Sequence, residues 1–267
     1  MTFEFLRLRL HFRAVEPLFF PPGKSANMLR GALGAILYQT VSAPEYARLF
    51  APKGAGAGPS GLADRPRPFV FRAAHLDGMT IAPGAGFHFD LHLFDVQEAA
   101  RRHLENAFAQ QVRFTLVQVE QEDVGIELDD TCQPAACVRV QFVTPTELKA
   151  GHGLVTRPEF PVLFARLRDR ISTLRALYGH GPLDIDFRGM GERAAQVRLS
   201  SCELRWVETE RRSASTGQTH PLGGFTGEAE YQGSLGEFLP YLRAGQWTGV
   251  GRQTVWGKGE ICFQLCC

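Results

Sequence analysis

Apolar residues change their spacing in the same order twice along this chain, and that repetition is the strongest constraint on its fold. Leu6, Leu8, Leu10 and Phe12 alternate with Arg7, Arg9, His11 and Arg13, the period-two pattern of a strand with one face in a core. Pro17, Pro21 and Pro22 end it. Ser25 is placed to cap a helix in which Leu29, Leu33, Ile36 and Leu37 recur at helical spacing. Gly31 and Gly34 leave that helix a thin face for close packing. Residues 51–61 read as a flexible loop of Gly, Ala and Pro. Strands follow near 69–73 and 87–94, then a helix over 97–110, then an alternating strand from Val112. Residues 120–130 carry six acids and no cation, and Pro134 marks a boundary.

The pattern then restarts. Val138, Val140 and Phe142 form a strand that Pro145 ends, and an amphipathic helix spans roughly 158–178. Strands near 195–207 and 225–231, a short helix near 234–243 and a last strand from about 257 to 265 complete the order. Each half therefore reads β-α-β-β-α-β. The expected fold is α+β: two tandem ferredoxin-like (RRM-like) βαββαβ domains, over 1–130 and 131–267. The length of 267 residues accommodates two such units.

The 29 Lys and Arg residues nearly cancel the 28 Asp and Glu residues. The cancellation is uneven along the chain: residues 1–119 carry +4, 120–130 carry −6, and 131–267 carry +3. On this reading two mildly basic units are joined by an acidic connector, so the bulk charge excludes a broad electrostatic coat but not a localised anionic partner. Arg outnumbers Lys 25 to 4, and Arg is suited to forked contacts with phosphate. Cys132, Cys137, Cys202, Cys262, Cys266 and Cys267 form no C-x-x-C pair, so the sequence supports no metal site. No signal core follows Met1, and no apolar stretch approaches the ~20 residues of a membrane span. A cytoplasmic protein without a cofactor, monomeric or homodimeric, is expected.

The stretch richest in chemistry runs from Gly249 to Glu260, with Gly249, Gly251, Gly257 and Gly259 around Arg252 and Lys258. Glycine permits close backbone approach, and a run of exposed N–H groups can cradle phosphate oxygens. It is not a P-loop, because Gly259 rather than Ser or Thr follows Lys258. Nor is it a dinucleotide fingerprint, since Thr254 takes the third glycine position.

A Gly-x-Gly-x5-Gly-x-Gly loop before the last strand of a second ferredoxin-like unit resembles the C-terminal signature of the CRISPR-associated RAMP superfamily. The closest resemblance is to the endoribonuclease that cuts precursor CRISPR RNA at its repeats. Leu29-Arg30-Gly31-Ala32-Leu33-Gly34 resembles the family's first helix, and Phe142-Val143-Thr144-Pro145 its strand-ending step. Residues 61–69, 178–184 and 221–227 also look like family segments. The resemblance implies CRISPR repeat RNA as partner, other CRISPR-associated proteins as companions, and metal-free attack of a ribose 2′-hydroxyl on the adjacent phosphate. That chemistry needs a base, an acid and cations.

Many relatives place a catalytic His in or just after the first helix, but this chain has none between His11 and His75. Some relatives use Tyr and Lys instead. The resemblance then implies Tyr38 for proton transfer, with Lys24 and Lys53 as electrostatic stabilisers and His220 as an alternative base. Expected RNA contacts are Arg252, Lys258 and the loop glycines, Arg211 and Arg212 in a predicted hairpin, and Arg7 and Arg9 on the first strand. A non-catalytic RNA-binding subunit of a CRISPR ribonucleoprotein is the rival reading.

Overall fold

The computed structural model describes residues 1–52, 65–130, 134–151, 153–208, 223–266 and, as backbone alone, 210–212 and 219–221. Lys53 lies outside the described residues, as do the side chains of Arg211, Arg212 and His220. No helix among the described residues is long and apolar enough to cross a membrane.

Two four-stranded antiparallel sheets carry the chain. The first contains β1 (Thr2–Ala14), β2 (Phe69–Arg72), β3 (Gly86–Leu93) and β4 (Phe114–Glu127), in the order β2-β3-β1-β4. The second contains β5 (Cys137–Thr146), β6 (Arg198–Val207), β7 (Gly224–Gln232) and β8 (Ile261–Leu265), in the order β6-β7-β5-β8. The two orders are the same, and both are ferredoxin-like. Helices α1 (Ser25–Thr40) and α2 (Glu98–Ala109) belong to the first half. Helices α3 (Phe160–Tyr178) and α4 (Leu239–Thr248) hold the equivalent places in the second. Short helices at Ala43–Leu49 and Phe187–Ala194 are additions to the repeat.

Alternation along β1 is realised in two registers. Leu6, Leu8, Leu10 and Phe12 are buried with Leu29, Leu33 and Leu37 of α1 and Leu104 and Phe108 of α2. Phe3 and Phe5 point to the other face and are buried in the core of the second half, beside Val140, Leu167 and Leu242. One strand thus serves two cores, and the halves share a continuous apolar boundary. Close packing at Gly34 is confirmed, because a Cβ there would lie 2.2 Å from the Phe50 ring. Gly31 faces open space instead.

Three expectations change. Residues 120–127 are not a connector: they form the outer half of β4, which pairs with β1 from Ala14↔Phe114 to Thr2↔Glu127. Their charge reflects what lies beside them, since Glu122 and Glu120 stand opposite Arg7 and Arg9. The last helix begins and ends about five residues later than expected, running to Thr248, because its turns meet no breaker before Gly249 at φ +69°. Ser25 is the first residue of α1 rather than its cap; the cap position is Lys24, and Asp77 accepts from the Ser25 amide at 3.0 Å.

Candidate nucleic-acid interface

The glycine loop occupies residues 249–260, between α4 and β8. Its position is set where α4 ends. The last carbonyls of a helix have no partner within the helix, and here they are met by cations from elsewhere. Arg72 of β2 donates through Nη2 to the carbonyls of Gln246 and Trp247 at 3.0 and 3.1 Å. Arg170 of α3 donates to Thr248 O at 3.0 Å. His92 Nδ1 lies 2.9 Å from Trp247 O, and its ring sits 4.9 Å from the Trp247 ring. The carbonyl can only accept, so Nδ1 carries the proton.

Burial dominates the electrostatics of this junction. It pulls the pKa of the Arg72 guanidinium down, and that of Arg170, with Arg72 adding repulsion, down to about 9. Burial together with the Arg72 charge pulls His92 down to about 3, so its imidazole is neutral at physiological pH. Cations at a helix C-terminus are favoured by the helix dipole. Two of these three groups come from the first half, so the loop starts from a point fixed by both halves.

The loop then folds back on its own protein. Val250 N donates to Gly259 O at 2.8 Å, Arg252 N to Glu147 O at 3.0 Å, and Gly259 N to Pro145 O at 3.1 Å. Gly249, Trp256 and Gly257 also donate their amides to backbone carbonyls. These N–H groups point inward and hold the loop's shape, which differs from the exposed phosphate cradle expected of it. The glycines are required by approach distance: a Cβ at Gly251 would lie 2.3 Å from Glu147 O, and one at Gly259 2.0 Å from Val250 O, both at positive φ. A single turn at Thr254–Trp256 packs on α1, with Gly257 against Ala26.

Lys258 and Arg252 part company. Lys258 is only 3% exposed, and its Nζ donates to Gly23 O at 3.2 Å, just before α1 begins. Burial pulls its pKa down, and Asp77 offsets part of that. The expected phosphate ligand is thus a buried tie between loop and first helix. Arg252 leaves 54% of its side chain exposed while pairing with the buried Glu147, so its guanidinium retains a solvent-facing edge. Lys24 is exposed at the start of α1, where the helix N-terminus favours anions.

The remaining expectations separate in space. Tyr38 is 74% exposed, edge-on to Tyr46 near the far end of α1. Lys24 and Tyr38 are fourteen positions apart along the helix, about 21 Å at the ordinary rise, so the two cannot serve one phosphate. Arg7 and Arg9 do not form a free basic face. Arg9 Nε donates to Asp90 Oδ1 at 2.7 Å, Arg7 Nε to Asp90 Oδ2 at 2.9 Å, and Arg7 Nη1 to Glu122 at 3.0 Å. Burial pushes the Asp90 carboxyl up, but the bonds from Arg9 and Arg7 together outweigh it and hold it below its usual range. Arg211 and His220 are backbone partners in a two-stranded ribbon, Glu210–Arg212 with Thr219–Pro221.

Arg72, Arg170, His92 and Glu147 organise the site and were absent from the sequence expectations. Arg72 had one visible signal, a cation ending the apolar run Phe69-Val70-Phe71. Among the described residues, one group of three close metal-ligating atoms occurs, Cys137, Glu230 and Cys266, on the second sheet rather than here.

Comparison with known proteins gives the same fold and, over part of the chain, a family likeness. Residues 140–261 match the family model described as CRISPR-associated endoribonuclease Cas6, a span that contains the whole glycine loop. Residues 3–131 match a second model, described as an N-terminal domain. No curated protein matches by sequence. Among solved structures, Thermus thermophilus Cas6 superposes with a TM-score of 0.60 at 15% identity, covering 99% of both chains. A Cas6 product complex gives 0.61 at 19% identity, over 98% of this chain and 99% of that one. A structure titled as an RAMP protein binding different RNA substrates gives 0.50 at 13%, over 97% and 99%.

Proposed function

We propose that this chain is a CRISPR-associated protein of the RAMP type, an endoribonuclease that binds CRISPR repeat RNA and cleaves precursor transcripts. The observation that carries the reading is the glycine loop: it lies within the Cas6-matched span and is tied through Lys258 and Gly257 to the first helix of the other half. The tie brings two exposed cations of different halves, Lys24 and Arg252, to the segments it joins.

The chemistry proposed is attack of a ribose 2′-oxygen on the adjacent phosphorus. A bond forms from that oxygen to phosphorus, and the bond from phosphorus to the 5′-oxygen breaks. The 2′-hydroxyl proton goes to a base, and the leaving 5′-oxygen takes one from an acid. The products are a 2′,3′-cyclic phosphate and a 5′-hydroxyl. No step requires a metal. Charge accumulates on the phosphorane, where a fixed cation and a helix N-terminus contribute most. We assign that role to Lys24 at the start of α1, with Arg252 holding the RNA backbone. Tyr38, on this assignment, is too far along the helix to act at the same phosphate. Proton transfer is then assigned to His220, the alternative base, with Lys53 as a second stabilising cation.

Labelled repeat RNA incubated with the protein in excess chelator tests the reading. Cleavage with a cyclic-phosphate end is expected, reduced in Lys24→Ala and abolished in the Lys53→Ala, His220→Ala double variant. Tight binding with no cleavage would overturn it in favour of a non-catalytic subunit of a CRISPR ribonucleoprotein. Other CRISPR-associated proteins are the proposed companions in either case.

A further inference from the structure

The outer face of the second sheet gathers three ligand-bearing side chains from three neighbouring strands. Cys137 opens β5, the central strand. Cys266 immediately follows β8, and its amide donates to Cys137 O at 3.1 Å, which puts the two residues side by side. Glu230 lies on β7, across β5 from Cys266, in the register Glu230↔Arg139 and Gln232↔Cys137. The two sulfurs and a Glu230 carboxylate oxygen all lie within 4.8 Å of one another, and all three residues are half-buried. A tetrahedral ion bound by two thiolates at ~2.3 Å and a carboxylate at ~2.1 Å needs ligand atoms roughly 3.5–4 Å apart. Small rotations of the side chains meet that requirement.

The carboxylate is already oriented. Ser200 Oγ and Gln232 Nε2 donate to Glu230 Oε1 at 3.1 and 3.4 Å, and Arg139 Nη2 donates to Oε2 at 3.1 Å. This is the kind of outer support that ligating carboxylates have. Oε2, which accepts from Arg139 alone, keeps a lone pair for the ion, since an ionised carboxylate accepts about four bonds, two at each oxygen. A divalent ion and the Arg139 cation together balance two thiolates and one carboxylate.

We propose that Cys137, Glu230 and Cys266 form a binding site for a thiophilic divalent cation, zinc by its ligand chemistry, which clips the last strand to the centre of its sheet. Water from the open side of the face completes the tetrahedron. Both thiols lose their protons when the ion binds, and those protons go to solvent. Without an ion, burial and the neighbouring Cys266 push the Cys137 thiol up to about 12, so that thiol is protonated at neutral pH. The site is structural. Gly259, the last loop glycine, is seven residues before Cys266, about 23 Å along an extended chain.

Cobalt(II) titration of the full chain, reduced and stripped of metal, tests the assignment. One equivalent should produce intense thiolate-to-cobalt charge-transfer absorption with tetrahedral ligand-field bands, and zinc should displace it. Cys137→Ser and Cys266→Ser should each weaken the absorption, and the double variant should abolish it. Glu230→Gln should loosen binding by about tenfold or more, while Cys262→Ser should leave it unchanged. Zinc should also protect Cys137 and Cys266 from alkylation in the unsubstituted chain, a readout independent of how well any variant folds. A band that survives in the double variant would overturn the proposal. So would the absence of stoichiometric binding and protection, or a Cys137–Cys266 disulfide that persists in thiol reductant. None of these readouts depends on RNA cleavage.

Discussion

The two halves repeat one topology but differ at one equivalent connection. In the first half, four residues (110–113) join α2 to β4; in the second, twelve (249–260) join α4 to β8. A turn of four residues suffices to reverse the chain, so the extra length does something else. It leaves its own half, packs on α1 and returns, with Arg72 and His92 holding its start and Lys258 its end. A repeated fold thereby acquires a second tie between its halves, besides the shared strand β1. Most of the loop's polar groups serve that purpose, which leaves Arg252 as its solvent-facing cation.

The largest effect should come from closing the space the long connection needs. Gly259→Ala places a methyl 2.0 Å from Val250 O at a left-handed φ, and strain plus overpacking should cost about 3–4 kcal/mol. A short-loop change such as Gly84→Ala meets no neighbour within 4 Å and should cost only the strain of its positive φ, about 1–2 kcal/mol. Denaturant unfolding of both variants measures the contrast; equal losses would show that the glycine loop is not the more constrained of the two.

Arg72→Met should come next. It leaves the Gln246 carbonyl without its buried donor and the Trp247 carbonyl with His92 alone, costing about 1–3 kcal/mol. It should also detach the loop from the first half, visible as faster hydrogen exchange at Val250 and Gly259. Unchanged exchange there would separate the helix end from the loop's anchoring.

His92 makes the same junction sensitive to acid. Its folded pKa of about 3 lies below the ordinary 6.5, so between those values the unfolded chain takes a proton that the folded one refuses. Stability from this group is complete above about pH 6.5 and falls as pH drops toward 3, by about 2 kcal/mol between pH 7 and pH 5. His92→Gln should flatten the profile by that amount relative to the unsubstituted chain. Parallel profiles would place the acid sensitivity elsewhere.

The smallest effect concerns the exposed cations. Arg252→Ala should reduce the slope of log affinity for repeat RNA against log salt by about 0.7–0.9, one phosphate contact. Arg7→Gln should not change it, because Asp90 and Glu122 already neutralise Arg7. A slope that responds to Arg7 and ignores Arg252 would reverse the assignment.

The strand and helix order was legible because side-chain periodicity is local: β1, α2 and α3 appear where alternation and helical spacing put them. The free or paired state of a cation was not. Arg7 looks the same in the sequence whether it meets phosphate or Asp90, a residue 83 positions away. The acidic run 120–127 looked like a connector for the same reason, since its partners lie across a sheet rather than along the chain. Cys137, Glu230 and Cys266 are scattered over 130 residues and gave no spacing signal.

By itself, then, the sequence determined two βαββαβ units and a glycine-rich connection that only glycines could build, because period and backbone freedom are properties of short segments. The tertiary structure decided the loop's inward course, the burial of Lys258, the neutralisation of Arg7 and Arg9, and the meeting of two cysteines with a glutamate. Each of these depends on which groups compete for one another at contact distance, and the long-range pairing of strands and halves sets those distances.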